Sequence, residues 1–325
     1  MKKIIFLLIA LSFRTTLANE GGISFPSETT APTSKLDIFG DFLFWQPSQG
    51  VDWAITTTLS GNFEGIEYHI PSFNWAPGFR VGLGFIMEDD KWNTQLSYTW
   101  FQSKASANVS GNITSPFFGS LLALYRSYQA AHVNWAINFN MFDLDLGRTL
   151  WDNKNFSLQP IIGLKGGWIR QKINSQWQNP LVSGIRFFLT ANENLKNNFV
   201  GFGPKGGVKG KFLLGSLDKC RLSIFGDLEA AYMWGNWRIK DEFNGGLTAV
   251  STNAGERNFG SFALQSILGI GLDLNLGKDQ THLTAKLGYE LQDWLNQYQV
   301  FDNDTGEHNN DLILQGITAD LRINF

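Results

Sequence analysis

The sequence has a single cysteine, few prolines and no apolar run long enough to cross a membrane as a helix. Cys220 is the one cysteine among 325 residues, so an intrachain disulfide is excluded. Membrane helices need about 18 or more apolar residues in a row, and the longest such run, residues 4–13, is shorter. The formal net charge of −3 is nearly balanced and gives no indication of a nucleic-acid partner. These absences exclude a disulfide scaffold and a helical membrane bundle.

Motifs of catalysis and cofactor binding are also scarce. The sequence contains no G-x-S-x-G nucleophile elbow, phosphate-binding loop, cysteine-based metal site or haem motif. One histidine, His308, stands in a predicted outer loop near four acids: Asp302, Asp304, Glu307 and Asp311. Spacing alone does not define a catalytic dyad. The same loop resembles a calcium loop but has Ile313 where the bidentate glutamate belongs. We therefore predict no enzyme, cofactor or metal site, with an outer-membrane hydrolase as the weakest alternative.

Aromatic residues and glycine are abundant by contrast. The chain has 27 Phe, 12 Trp and 34 Gly but 9 Pro, and 14% of its residues are aromatic. An aromatic, glycine-rich and overall polar composition is typical of alternating strands of which one face meets lipid. The fold class predicted from this pattern is all-β, a transmembrane antiparallel up-and-down β-barrel.

The last stretch of the sequence, residues 317–325, shows this alternation most strictly. Its apolar parity consists of Ile317, Ala319, Leu321, Ile323 and Phe325. Such a strand can close a barrel against the first strand, so that no edge is left open in lipid. The terminal aromatic residue resembles the address read by the bacterial barrel-assembly machinery. We therefore predict an assembly signal in Leu321, Ile323 and Phe325, with the final strand of a soluble sandwich as the alternative.

The first residues have the pattern of a secretory signal peptide. Lys2 and Lys3 precede the apolar run 4–13, and Thr16-Leu17-Ala18 places small residues at the positions that a signal peptidase inspects. We expect a signal peptide at residues 1–18, a flexible lead-in at 19–34 that is rich in Gly, Ser, Thr and Pro, and a barrel at 35–325. The predicted location is the outer membrane of a Gram-negative bacterium.

Ten alternating segments predict the barrel strands. They are 35–46, 76–87, 91–102, 127–141, 156–173, 199–214, 221–238, 261–276, 281–293 and 311–325. Short links, such as 215–220, alternate with long ones at 174–198, 239–260 and 294–310, as inner turns alternate with outer loops. Residues 51–70 predict an external hairpin, and two further barrel strands there would give twelve. The polar stretch 103–126, with its apolar middle, is expected to fold over or into the barrel mouth.

Tryptophans mark the predicted edges of the membrane. Trp92 and Trp100 share a face eight residues apart, about 26 Å along a strand, which is close to the height of the apolar band. The predicted girdle consists of Trp92, Trp100, Trp135, Trp168 and Trp234. After Met141 the apolar residues change parity, and we expect a bulge near Phe142.

Charged residues on the opposite parity are predicted to face the interior, because a charge facing lipid costs about 2–4 kcal/mol. The candidate pore lining consists of Arg80, Lys165, Lys205, Lys209, Lys211, Asp227, Glu229, Asp273, Lys286 and Glu290. These side chains predict either a polar channel that selects ions and small hydrophilic solutes or a salt-bridged plug that fills a narrow barrel. A surface or structural barrel that conducts nothing and acts through its loops is the other class left open.

Several segments resemble the pore-forming major outer-membrane proteins of legionellae and chlamydia-like bacteria. They are GDFLFW at Gly40–Trp45, APGFRVGLGF at Ala76–Phe85, DLDLGR at Asp143–Arg148, QPIIGLKGGWIRQK at Gln159–Lys172 and NFVGFGPKGGV at Asn198–Val208. The resemblance implies an outer-membrane barrel with pore formation as its role. It implies no site residue, because the shared motifs consist of framework glycines and aromatics.

Overall fold

A computed structural model describes residues 34–60, 63–87, 91–122, 127–153, 155–182, 184–217, 220–276, 281–302 and 306–325. The predicted signal peptide and all of the lead-in but Ser34 lie outside these residues. No helix in the described part of the chain is long and apolar enough to cross a membrane.

Fifteen strands and one short helix follow each other along the described chain. They are β1 (Ser34–Ser48), β2 (Ala54–Ser60), β3 (Phe63–His69), β4 (Ala76–Met87), β5 (Trp92–Thr114), α1 (Phe118–Leu121), β6 (Tyr128–Arg148), β7 (Trp151–Asp152), β8 (Phe156–Gln178), β9 (Leu181–Val182), β10 (Ile185–Arg186), β11 (Thr190–Leu217), β12 (Cys220–Asn244), β13 (Ala249–Asn275), β14 (His282–Asp302) and β15 (Gly306–Asn324).

Ten of these strands close into an antiparallel barrel. The ring runs β1-β4-β5-β6-β8-β11-β12-β13-β14-β15, and β15 pairs with β1, where Ile323 lies opposite Ile38. The count of ten is confirmed. The β2–β3 hairpin stays outside the ring and pairs only through Ile55–Thr57 with the outer end of β5. This hairpin confirms the interpretation of residues 51–70 as an external element.

The inner two thirds of the barrel wall alternates as lipid requires. Exposed apolar side chains define the membrane band. They include Phe42 on β1 and the outward apolar residues within 79–87 of β4, 200–214 of β11, 222–234 of β12 and 317–325 at the chain end. The opposite parity of these strands is polar or glycine and points inward. This arrangement leaves charge out of lipid and places it in the interior.

The alternation inverts where each strand leaves the membrane band. On β6, Phe142 is 44% exposed and the inward Asp143 is polar, whereas Met141 and Phe139 point inward and are buried. The pairing of β6 with β5 and β8 continues in register through Phe142, so the predicted bulge at this residue is wrong. The backbone keeps its phase and its surroundings change. From Phe142 to the end of β6 the outward face meets lipid, and from the start of β6 to Met141 the outward face meets water.

The inversion also corrects the place of Trp135. Trp92, Trp100, Trp168 and Trp234 lie on the outward face, but Trp135 is 1% exposed and points into the barrel, where its indole donates to Gln171 at 3.0 Å. Trp135 is no girdle residue because its strand is already outside the membrane band at this height.

The same inversion extends the strands beyond their predicted ends. Most of the predicted outer loops 174–198, 239–260 and 294–310 continue as strand. Their inward apolar side chains form one core that fills the outer third of the barrel. Its largest buried members are Trp45, Trp53, Phe101, Phe117, Tyr128, Trp135, Phe139, Trp177, Phe199, Trp237, Trp294 and Tyr298. Phe199 covers Gly201 and Gly235, where an added Cβ would lie 2.3 and 2.0 Å from its ring.

Candidate functional site

The interior of the barrel divides into a charged inner part and an apolar outer part. We call the charged part the lumen cluster. Its basic members are Arg80, Lys165, Lys205, Lys209, Lys211, Lys286 and Arg322. Its acidic members are Asp37, Asp41, Asp143, Asp145, Asp227, Glu229, Asp273, Glu290 and Asp320. All of them occupy inward positions of membrane-spanning strands, so their charges interact with each other rather than with lipid.

Arg80 on β4 is the first centre of this cluster. Its guanidinium donates to Asp41 on β1 at 2.9 Å and to Glu290 on β14 at 2.8 Å, and its Nε donates to Thr99 on β5 at 3.0 Å. Glu290 is 1% exposed and also accepts the hydroxyl of Thr318 at 2.8 Å. Arg80 therefore joins strands from both sides of the β1–β15 seam by charge-assisted hydrogen bonds.

Lys205 on β11 is the second centre. Its ammonium lies 3.0 Å from Asp143, 2.8 Å from Asp145 and 3.0 Å from Glu229. Lys165 on β8 shares Asp143 at 2.8 Å. These contacts cross β6, β8, β11 and β12, so one buried ammonium holds acids from opposite sides of a sheet segment together.

Lys209 and Lys211, the other two lysines on the inward face of β11, face more open space. Lys209 lies 3.9 Å from Asp145 and 3.8 Å from Glu229, and its side chain is 25% exposed. Lys211 pairs with Asp273 and is 38% exposed. The three lysines that share one face of β11 thus have different surroundings, from enclosed at Lys205 to accessible at Lys211.

Polar cavities lie beside the lumen cluster, and two of them share part of their lining. One of about 90 Å³ reaches Arg80, Lys205 and Glu290. The other, of about 180 Å³, lies nearer the inner end and reaches Lys211 and Asp273. They share the lining residues Gln95, Lys209, Phe225, Asp227, Lys286 and Arg322. The inner part of the barrel therefore has polar space for water and small ions.

A segment from the β5–β6 connection closes the outer part. Residues 115–122 fold into the mouth, as predicted for this part of 103–126. Residues 103–114 instead continue β5 in the barrel wall, where they pair with β6, so that part of the prediction is wrong, and residues 123–126 lie outside the described chain. Phe117 is 1% exposed within the apolar core. The backbone N–H of Gly119 donates to Asp241 on β12 at 2.7 Å, and that of Ser120 donates to Glu193 on β11 at 2.7 Å. We call residues 115–122 the mouth segment.

The two carboxylates that hold the mouth segment lie beyond the membrane band. Burial raises the pKa of Asp241 to about 6, opposed by the N–H of Gly119 and aided by the neighbouring Glu242. Burial, and next the charge of Asp241, raises the pKa of Glu193 well above its ordinary value. Glu193 also accepts the indole N–H of Trp177 at 3.0 Å. Burial raises the pKa of the nearby Tyr298 phenol as well.

The ten predicted pore-lining residues all face the interior, and their part in conduction stays a prediction. The sequence prediction omitted Asp37, Asp41, Asp143, Asp145, Asp320 and Arg322, although the same alternation places them inward. It also omitted Glu193 and Asp241, which the sequence placed in outer loops. Asp311 is half-buried on β15, while the side chain of His308 lies outside the described residues. Cys220, at the inner end of β12, is half-buried and free.

Comparisons with known proteins identify the family to which this barrel belongs. The family model described as Legionella pneumophila major outer membrane protein precursor matches residues 29–325. Among solved structures, the outer membrane protease OmpT from Escherichia coli is 10% identical with a TM-score of 0.41, over 91% of this chain and 97% of that chain. The toluene transporter TodX from P. putida is 8% identical with a TM-score of 0.30, over 90% of each chain.

The translocator domain of the autotransporter NalP from Neisseria meningitidis is 10% identical with a TM-score of 0.32, over 92% of this chain and 90% of that chain. No curated protein matches the chain. The family match spans almost the whole barrel, whereas the structural likenesses are too low to carry an argument about activity. This outer-membrane β-barrel belongs to the Legionella major outer membrane protein family.

Proposed function

We propose that this barrel is a pore for ions and small hydrophilic solutes, closed at its outer end by an apolar gate. The observation that carries the proposal is the lumen cluster with its two polar cavities inside the membrane band. Fixed charges in a narrow lumen set the local concentration of ions, and apolar constrictions close pores by excluding water. The apolar core and the mouth segment supply such a constriction in series with the charged part.

The proposal includes the steps that bring the barrel to its membrane. Export would use the signal peptide at residues 1–18, with cleavage after Ala18, and assembly would use Leu321, Ile323 and Phe325 with the barrel-assembly machinery. N-terminal sequencing of the mature protein checks the cleavage position. A new N-terminus other than Asn19 would contradict it.

A surface barrel that conducts nothing is the second candidate. The observation that favours it is the apolar core, because twelve large side chains buried in the outer third can seal a ten-stranded barrel. Its function would then depend on the outer loops. The proposal contains no catalytic step; incubation with peptide substrates, comparing the unaltered chain with His308→Ala, checks this, and turnover lost with His308 would contradict it.

Planar-bilayer recording separates the pore from the surface barrel. We expect discrete conductance steps of low open probability, because the apolar gate must hydrate before ions pass. Phe117→Ala should raise the open probability, since it removes a ring of the mouth segment from the gate. The matched control is Phe188→Ala, which removes a ring that is 89% exposed at the outer surface.

Ion selectivity tests the lumen cluster itself. Lys209→Glu with Lys211→Glu should shift the preference toward cations, because both ammonium groups reach the inner cavity. Lys91→Glu with Lys104→Glu, outside the lumen, should leave selectivity unchanged. The absence of steps in every variant would favour the surface barrel, and steps with unaltered selectivity would remove these lysines from the filter.

A further inference from the structure

The outward face of three neighbouring strands carries two rows of basic side chains. Lys196 on β11 lies directly opposite Lys172 on β8 and Lys240 on β12. One step toward the membrane, Asn198 on β11 lies opposite Arg170 and Arg238. We call Arg170, Lys172, Lys196, Arg238 and Lys240 the basic patch. Strand spacing of about 4.8 Å places its members within about 10 Å of each other across the sheet.

The basic patch begins where the apolar band ends. In the next positions toward the membrane, Trp168 lies opposite Val200, and Trp234 lies opposite Phe202. Trp234 is 65% exposed and Val200 is 57% exposed, as residues that face lipid are. The cations therefore stand at the height of the headgroups on the outer side of the membrane.

This arrangement has an energetic cost in the bare protein. Like charges directly opposite on neighbouring strands destabilise a sheet, and three lysines occupy such positions here. Among the described contacts, one carboxylate moderates the repulsion: Glu242 pairs with Lys240 and lies 3.9 Å from Lys196. Arg238 lies opposite Glu256 on β13. The three lysines have between them the carboxylate of Glu242 among the described contacts, and they are the members of the patch with room for an anionic ligand.

The patch lies on one side of the barrel. In its row, Ala136 on β6 separates Lys172 from Lys104 on β5, and the outward side chains of β14 and β15 include Asp293 and Asp311. Farther from the membrane on β8, β11 and β12, Asn174 and Asn194 share a row with Glu242, and the amides Gln176, Asn192 and Asn244 form the next row. Apolar side chains, then cations, then amides follow each other outward, which matches acyl chains, phosphates and sugars in one molecule.

We propose that the basic patch binds the phosphates of a phosphorylated glycolipid of the outer leaflet. The ammonium and guanidinium groups donate charge-assisted hydrogen bonds to the phosphate oxygens. The acyl chains lie against Trp168, Val200 and Trp234, and the amide rows face the saccharide. A free phosphate could use the cations but not the apolar surface below them, so the lipid is the ligand.

Binding of diphosphoryl lipid A to the purified full chain in detergent, counted by native mass spectrometry, tests the proposal. We expect the K172Q/K196Q/K240Q variant to bind about tenfold more weakly, because it loses three charged donors. The matched control K35Q/K91Q/R148Q removes three cations from the inner end of the wall and should stay within about twofold of the unaltered chain. Heat-modifiable gel migration shows that each variant is folded, and the three single glutamine variants replace the triple one if it does not fold.

Two further probes identify the ligand. Lipid A without phosphates should bind the unaltered chain about as weakly as diphosphoryl lipid A binds the triple variant. Inorganic phosphate alone should not displace bound lipid A. Equal binding of the triple variant, or equal binding of the dephosphorylated lipid, would overturn the proposal, and displacement by inorganic phosphate would overturn the lipid as its ligand.

Discussion

Lys205 and Lys209 lie four residues apart on the inward face of β11, yet they have different energetic roles. Lys205 is buried among three carboxylates, whereas Lys209 stands near two of them at the edge of a cavity. Removing one partner of a buried ion cluster leaves uncompensated charge, whereas removing a partly solvated one changes little. The same residue type on one strand is therefore structural at one position and available for solutes at the other.

We predict that Lys205→Met lowers the free energy of unfolding by about 3–5 kcal/mol, because Asp143, Asp145 and Glu229 lose their shared cation. Lys209→Met is the matched control and should cost about 0–1 kcal/mol. Urea unfolding of the refolded barrel in detergent, followed by tryptophan fluorescence, measures both. Equal losses for the two variants would show that Lys205 is not the centre of this cluster.

At the scale of strands, β6 shows what the sequence reveals and what it does not. The change of apolar parity between Met141 and Phe142 is visible in the sequence, but a bulge and a change of surroundings give the same pattern. The continuous register of β6 through Phe142 excludes a bulge and shows that the change of parity reflects a change of surroundings. Strand number and the inward parity of Arg80 could thus be predicted, whereas Trp135 could not be assigned to core or girdle without knowing where the membrane ends.

Which charged residues of the lumen cluster form ion pairs could not be predicted from the sequence either. Parity states that Lys205 and Asp143 both point inward, but not that they meet, because β8 separates their strands. Which inward charges share a height depends on the tilt and stagger of the closed barrel. The contact of Gly119 with Asp241, across 122 positions, depends in the same way on how the mouth segment folds.

The seam between β1 and β15 carries a prediction about assembly. Phe325 exchanges backbone hydrogen bonds with Leu36, at 2.9 and 3.0 Å, and extends the β1–β15 ladder by one more pair. We predict that deleting Phe325 lowers the amount of heat-modifiable barrel in the outer-membrane fraction, since closure loses this pair together with the aromatic side chain of the proposed assembly signal. Gel migration of unheated membrane extracts measures the effect.

Phe85→Ala is the control for that deletion. Phe85 is 56% exposed on the lipid face and Phe325 is 53% exposed, so the two changes remove similar apolar surface. A deletion that assembles as well as Phe85→Ala would remove the assembly role from Phe325. A joint loss in both would assign the effect to lipid-facing area instead of the seam.

At the scale of the whole molecule, charge and apolar packing lie in series along one axis. The lumen cluster occupies the membrane-spanning part, and the apolar core with the mouth segment occupies the part beyond it. In the outer part, Asp241 and Glu193 hold the mouth segment, and both carboxyl groups have raised pKa values. We therefore expect their charge state to couple the pH on the outer side of the membrane to the proposed gate.

The direction of this coupling follows from the pKa of Asp241, which is 3.8 in an unfolded chain and about 6 here. Undocking would expose this carboxyl to water and return its pKa toward the ordinary value, so the docked state binds the proton more tightly even though the N–H of Gly119 itself lowers the pKa. Docking therefore strengthens as pH falls from 6 toward 4 and loses this contribution above pH 6. Protonation also removes the repulsion between Asp241 and Glu193 while a carbonyl oxygen still accepts the N–H of Gly119. We predict that the open probability in bilayers falls about tenfold as the outer pH is lowered from 7 to 5, one unit below the pKa of Asp241 in the docked state.

Asp241→Asn separates this mechanism from a general effect of acid. Asparagine keeps an acceptor for Gly119 without a charge, so the variant should show the low open probability of acid pH at every pH. Glu242→Gln changes the next residue of β12, which faces outward toward Lys240. Because the charge of Glu242 helps to raise the pKa of Asp241, this variant should keep the pH response with its midpoint moved to slightly lower pH. Glu193, whose pKa burial also raises, and the Tyr298 phenol face the same region, and the phenol stays protonated at neutral pH. A pH response that persists in Asp241→Asn would therefore move the sensor to Glu193, and one that disappears in Glu242→Gln would place it on the outer surface.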